Sequence, residues 1–224
     1  MKIKGAISRK LLGTVQKNMG LVSGDPIPAG LIVLIDSKGG DGGAAMKIGR
    51  LLRQANAHVF VTGDCASACV FVLAGGVVRG ASAYSVGVHS GRVTVSDDNA
   101  KVLREVDLDK EPGARQAFAN FKKEARAYFS EMGVQPELYE TMEAHALRGV
   151  HRLNDQELRR MGLVGFDAHY LNTRSAFYEA QSVAYRMDKA ELYDRTLRVA
   201  SVCIGESDQN AFIACYKKTL MDPY

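Results

Sequence analysis

Residues 59–91, VFVTGDCASACVFVLAGGVVRGASAYSVGVHSG, decide the fold. The apolar, β-branched opening followed by Gly63-Asp64 predicts a buried strand ending there, and SACVFVLAGG predicts a fully buried helix closed by glycines. Ser67 then stands at the strand-to-helix turn. A hydroxyl at a helix N-terminus lies beside unpaired amides, so the N–H of Ala68 can face a developing oxyanion while the helix dipole adds partial positive charge. The alternating stretch Ala83 to His89 predicts a further strand. His89 at its end is a candidate general base if that strand neighbours the one before Ser67.

Upstream, residues 30–54 read GLIVLIDSKGGDGGAAMKIGRLLRQ. The apolar run Leu31 to Ile35 stops at Ser37-Lys38-Gly39-Gly40, after which Met46, Ile48, Leu51 and Leu52 follow helical spacing. Two glycines between a strand and a helix let backbone amides approach a ligand closely, so Gly39 or Gly40 is the candidate second oxyanion donor.

SKGG with AAM in the following helix, then GDCASACVFVLAGG, then a strand ending in GVH, resembles the Clp protease proteolytic subunit of the wider Clp/crotonase superfamily. The C-A-S-A-C element is closer still to exported Clp-like bacterial proteins. The resemblance covers roughly Lys2 to Val164. It implies an α/β spiral of repeated β-β-α units, Ser67 as nucleophile, His89 as base, and the amides of Ala68 and Gly40 (or Gly39) as oxyanion hole. The third catalytic member departs from the pattern. Counting back from Gly162-Leu163-Val164 puts Val150 where the family carries its acid, between Gly149 and His151. Glu143, Glu140 and Asp155 are the alternative carboxylates, and His151 could bond His89 without supplying charge. An orienting carboxylate can be worth orders of magnitude in rate, so its loss predicts a slow enzyme or none.

Each residue has a plainer role to set beside the catalytic one. A serine after a strand commonly serves as an N-cap, paired glycines as a turn, and a histidine at a strand end as a structural hydrogen-bonding group. Cys65 and Cys69 bracket Ser67, whereas Cys203 and Cys215 flank the turn IGESDQN. Helices through ELYDRTLRVASVC and QNAFIACYKKTL would form an antiparallel hairpin stapled by the second pair. The first pair is close enough in sequence for a bond of demanding geometry. Four buried thiols, a zinc site with His89, and a cysteine nucleophile are the alternatives; zinc lacks an obvious fourth ligand.

With 224 residues, 46% of them hydrophobic, the chain suits one α/β domain with an appendage. The net charge of +4 comes from scattered basic residues, which gives no nucleic-acid footprint, and the longest apolar run is too short to span a bilayer. KIKGAIS predicts a first strand, RKLLGTVQKNMGLV a helix, and Asp25-Pro26-Ile27-Pro28 a loop. Residues 92–113 are charged and weakly periodic: a surface excursion, or, on the resemblance, the entry to the handle through which Clp-like subunits associate. Phe118, Phe121, Ala125, Tyr128, Phe129 and Met132 mark one apolar helix face, ELYETMEAHALRG a second helix, and Asn154 the cap of DQELRRMG. Beyond Asp167 the chain reads as amphipathic helices, with Tyr178, Tyr185 and Tyr193 interleaved.

The expected organisation is a Clp/crotonase-like α/β domain over 1–166, its excursion and handle-like helices over 92–148, and a helical C-terminal extension over 167–224. The expected function is a serine hydrolase of peptidase type acting through an acyl-enzyme, on peptide or protein substrates, without metal or organic cofactor, as a homo-oligomer. The alternatives are an impaired member serving as a binding or assembly module, and acyl-coenzyme A chemistry, which needs no Ser67–His89 pair. The sequence as given shows no signal peptide, and the even cysteine count favours a periplasmic or exported protein over a cytoplasmic one.

Overall fold

The apolar run at 32–37 forms β2 (Ile32–Ser37), which pairs in parallel with β1 (Lys2–Lys4) on one side and β3 (His58–Ala66) on the other. The computed structural model describes residues 1–20, 31–145, 149–173 and 208–221, and part of 182–206. The strands form a seven-stranded, largely parallel sheet, which β3 divides into two branches. Its first half pairs in parallel with β4 (Val78–Gly80), and its last residues with β5 (Val86–Val88). Two short strands close the branches antiparallel: β8 (His151–Arg152) on β5, and β9 (Gly165–Phe166) on β4. The mixed α/β class expected from the sequence is the one observed.

One expectation needs correction. The strand before Ser67 does not end at Gly63-Asp64 but runs on to Ala66. Between the pairs Ile35↔Val61 and Ser37↔Cys65, β3 spends two more residues than β2, so Gly63-Asp64 is a bulge rather than a turn. Asp36 stabilises it by accepting the Asp64 N–H at 3.1 Å, and that bond is the main influence holding its carboxyl below the usual range. A Cβ on Gly63 would lie 2.5 Å from Asp36 Oδ1. Arg152 on β8 pairs with the Asp64 carboxylate, joining the bulge to the second branch.

Helices cover both faces of the sheet, as alternation within its strands requires. Val33, Ile35, Val59 and Val61 point into the larger core, beneath α1 (Arg9–Asn18), α2 (Gly42–Gln54) and α3 (Cys69–Ala74). Leu34, Phe60 and Val78 point the other way, into a second core with Tyr170, Cys203 and Phe212. The described part of the C-terminal region thus lines the sheet's second face, through α7 (Ala168–Thr173) and α8 (Gln209–Met221). Phe60 meets Phe212 with ring centroids 5.2 Å apart, and a disulfide joins Cys203 to Cys215. Tyr178, Tyr185, Tyr193 and the loop at Asp25 to Pro28 lie outside the described residues.

Residues 92–113 contain an unexpected antiparallel hairpin of β6 (Thr94–Ser96) and β7 (Val102–Glu105), exposed along both strands. Then α4 (Ala114–Glu131) buries Ala125, Tyr128 and Phe129, and α5 (Pro136–Ala144) buries Leu138, Tyr139 and Met142. The helix α6 (Asp155–Arg160) begins with the capping box of Asn154 and Glu157. Where these segments meet, the buried Arg79 donates to the carbonyls of Gly76, Met132 and Gly162. Burial and then repulsion from Arg53 pull its guanidinium down to about 10, leaving it a cation at neutral pH.

Candidate active site

The β3 bulge delivers Ser67 to the C-terminal end of the parallel sheet. Its N–H donates to the Gly87 carbonyl of β5 at 2.9 Å, and its carbonyl accepts from Val70 N–H at 3.1 Å. Ser67 is half-buried and holds φ at 56°, in the left-handed region that a side chain rarely adopts. Its hydroxyl has no hydrogen-bond partner among the described residues, nor does it cap α3. The N-cap alternative therefore fails here. A disulfide between Cys65 and Cys69 closes the loop around the serine, leaving neither sulfur a thiolate for zinc or for nucleophilic attack.

The loop from β2 to α2 packs directly against this turn. A Cβ on Gly39 would stand 2.7 Å from both Ala66 O and Ser67 Cβ, and one on Gly40 would stand 2.2 Å from Ile7 O. These glycines let the loop lie in contact with the serine turn on one side and with the segment after β1 on the other. The two amides differ in use. Gly39 N–H donates to Ser37 Oγ at 3.1 Å, whereas Gly40 N–H and Ala68 N–H donate to no partner among the described residues. Gly40 and Ala68 thus retain free donors beside Ser67.

His89 follows β5 and borders the same cleft of about 690 Å³ as Ser67, Gly40 and Ala68. Its Nδ1 lies 2.7 Å from the Ser90 carbonyl, its one ring partner among the described residues. None of the four candidates for a third member bonds to it. Glu143 pairs with Lys122, Glu140 and Asp155 are exposed, and His151 Nε2 lies 2.8 Å from Glu157 Oε1. Val150 is exposed beyond β5, where a Cβ on Gly87 would meet its side chain.

No family model and no curated protein matches the sequence. Solved structures similar to it include ClpP1 from Listeria monocytogenes, at TM-score 0.48 and 19% identity over 73% of this chain and 87% of that one. A single-substitution mutant of the same protein gives 0.48, 18%, 73% and 87%. A mutant of the 1510-N membrane-bound stomatin-specific protease gives 0.47, 19%, 78% and 82%.

Away from the serine, the cleft has an apolar wall of Phe71, Phe118, Phe121, Tyr139 and Met142. Gly42 at the start of α2 leaves room for the Phe121 ring, since a Cβ there would come within 2.7 Å of it. Burial, with the neighbouring Glu143, pushes the Tyr139 phenol up to about 12, so it lines the cleft as a neutral group. The wall brings α3 together with the distant, consecutive helices α4 and α5, and only the periodicity of α4 hinted at it. Among the described residues, no cluster of His, Cys, Asp or Glu could hold a metal, and no helix is long and apolar enough to cross a membrane.

Proposed function

We propose that this protein is a serine hydrolase of Clp-like peptidase type, with Ser67 as nucleophile, His89 as base, and the amides of Gly40 and Ala68 as oxyanion hole. One observation carries the reading: an unbonded serine hydroxyl at positive φ shares a cleft with two unspent amides and a histidine. A helix-capping serine would bond an amide, and two amides without a protein acceptor can serve an oxyanion beside Ser67. In the acylation step, Ser67 Oγ bonds to the substrate carbonyl carbon as its proton passes to His89 Nε2. The carbonyl oxygen gains charge against Gly40 and Ala68, and the leaving amine departs with the proton. Water attacks the acyl-enzyme by the same route in reverse. The apolar wall suits a peptide with a large apolar side chain near the scissile bond.

The second reading is a peptide-binding or assembly module, favoured by the absence of any carboxylate hydrogen-bonded to His89 among the described residues. Two disulfides support an oxidising compartment, periplasmic or exported, for either reading. Association into a homo-oligomer belongs to the same proposal.

Intact-mass analysis after treatment with a fluorophosphonate separates the readings. One phosphonyl adduct, absent from Ser67→Ala, is expected of the hydrolase. No adduct at any protein concentration, with peptide binding retained in Ser67→Ala, would overturn it in favour of the module.

A further inference from the structure

The ring of His89 is held by an unusual kind of partner for a catalytic base. Its Nδ1 lies 2.7 Å from the main-chain carbonyl of Ser90, which can only accept, so the proton resides on Nδ1 and the lone pair on Nε2. Ser90 N–H donates to the His145 carbonyl at 3.1 Å, which fixes the peptide joining His89 to Ser90, the backbone from which that carbonyl projects. His145 closes α5 by donating from Nδ1 to the Thr141 carbonyl at 2.8 Å. Its ring stacks on His151, with centroids 4.4 Å apart and planes inclined by 24°. His151 is opposite Val88 in the β5–β8 pair, one residue from His89, and its Nε2 lies 2.8 Å from Glu157 Oε1. Glu157 is pinned in turn by the Asn154 N–H at 2.8 Å, in the capping box that begins α6.

Building on the hydrolase reading, we propose that the Ser90 main-chain carbonyl, braced through His145 and His151 to Glu157, orients His89 in its Nδ1–H tautomer and takes the place of an orienting carboxylate. His145 and His151 are positioning residues; neither reaches the reacting atoms. A carbonyl dipole fixes the tautomer as a carboxylate does. It supplies only a partial charge to the imidazolium formed when Ser67 gives up its proton. The arrangement therefore gives a correctly aimed base of reduced power, without requiring an acid near Val150.

The test is a long-range proton–nitrogen correlation spectrum of the full chain labelled with ¹⁵N-histidine, recorded at alkaline pH. His89 is assigned through His89→Gln. The expected pattern is a protonated Nδ1 and a lone-pair Nε2. That signature should be lost in His145→Leu, which removes both the stack and the Nδ1–H bond, and be restored in His145→Phe, which keeps a stacking ring. Protonation at Nε2 in the unsubstituted protein, or an unchanged His89 signature in a folded His145→Leu, overturns the proposal. If His145→Leu does not fold, the unsubstituted spectrum alone decides. Fluorophosphonate labelling of the same samples reads Ser67 separately: an Nδ1–H tautomer without labelling upholds the relay and removes the hydrolase reading.

Discussion

Replacing Cys65 and Cys69 together by Ala should both loosen the fold and slow Ser67. The disulfide closes a loop whose ends are four residues apart, and loop-closure entropy for so short a ring is worth about 2 kcal/mol. Holding a non-glycine residue such as Ser67 at φ 56° costs about 1–2 kcal/mol, which is of the same size. The cross-link is therefore of the right magnitude to keep the serine turn in its left-handed state. The remaining restraints are the bonds from Ser67 N–H to Gly87 and from Val70 N–H to Ser67. Both cysteines are fully buried, so substitution is a cleaner perturbation than an added reductant. The expected outcome is a urea unfolding free energy lower by about 2 kcal/mol. Fluorophosphonate labelling of Ser67 should slow by about tenfold or more, as 1.4 kcal/mol of lost turn population implies. A double variant that labels at the original rate while showing the expected drop in stability would refute the claim that the disulfide poises the serine.

The second disulfide makes the contrasting case. Cys203→Ala with Cys215→Ala opens a longer ring, should cost about 3 kcal/mol by the same entropy argument, and should leave the labelling rate per folded molecule unchanged. Gly39→Ala should abolish labelling, because a Cβ at φ 100° would press on Ser67 Cβ from 2.7 Å; labelling and circular dichroism together check it. Asp167 pairs with Arg53 at 2.9 Å. Burial raises its pKa, but the Tyr170 N–H and the charges of Arg53 and Arg79 outweigh that and hold it below the usual carboxylate range. Its stabilisation is therefore complete above about pH 4, the unfolded value, and is lost as pH falls through the lower folded value. Asp167→Asn should cost about 1–2 kcal/mol at pH 7 and remove part of the acid-induced loss of stability, as urea midpoints across that range would show. Tyr128→Phe should cost about 1–2 kcal/mol in thermal unfolding, because the buried hydroxyl donates to the Phe71 carbonyl at 2.6 Å.

The strands that carry the site were legible because their signals are local. IVLIDS, the paired glycines and SACVFVLAGG each announce themselves by composition, and β2, α2 and α3 appear close to where they were expected. The error at Gly63-Asp64 had a non-local cause. Those residues do favour turns, and it is Asp36, on the neighbouring strand, that holds them in a bulge. The β6–β7 hairpin escaped notice because it buries no face, so hydrophobic periodicity was silent. Its turn chemistry was nevertheless present. Asp97 Oδ1 accepts from the N–H groups of Asn99 and Lys101, and Asp and Asn are residues that favour turns by such bonds. At the site, the sequence named Gly39 and Gly40 together but could not say which amide was free. That depends on where the Ser37 hydroxyl turns, a choice made in three dimensions.

Arg79 also constrains how the chain can be made. Its three acceptors, Gly76, Met132 and Gly162, are spread over more than eighty residues. A ribosome extending the chain from its N-terminus exposes β4 long before Met132 and Gly162 emerge. Until then the guanidinium has only its local carbonyl, and burying it would leave an under-solvated cation in the core. The acceptor set of Arg79 is therefore complete only after about the 162nd residue has left the exit tunnel.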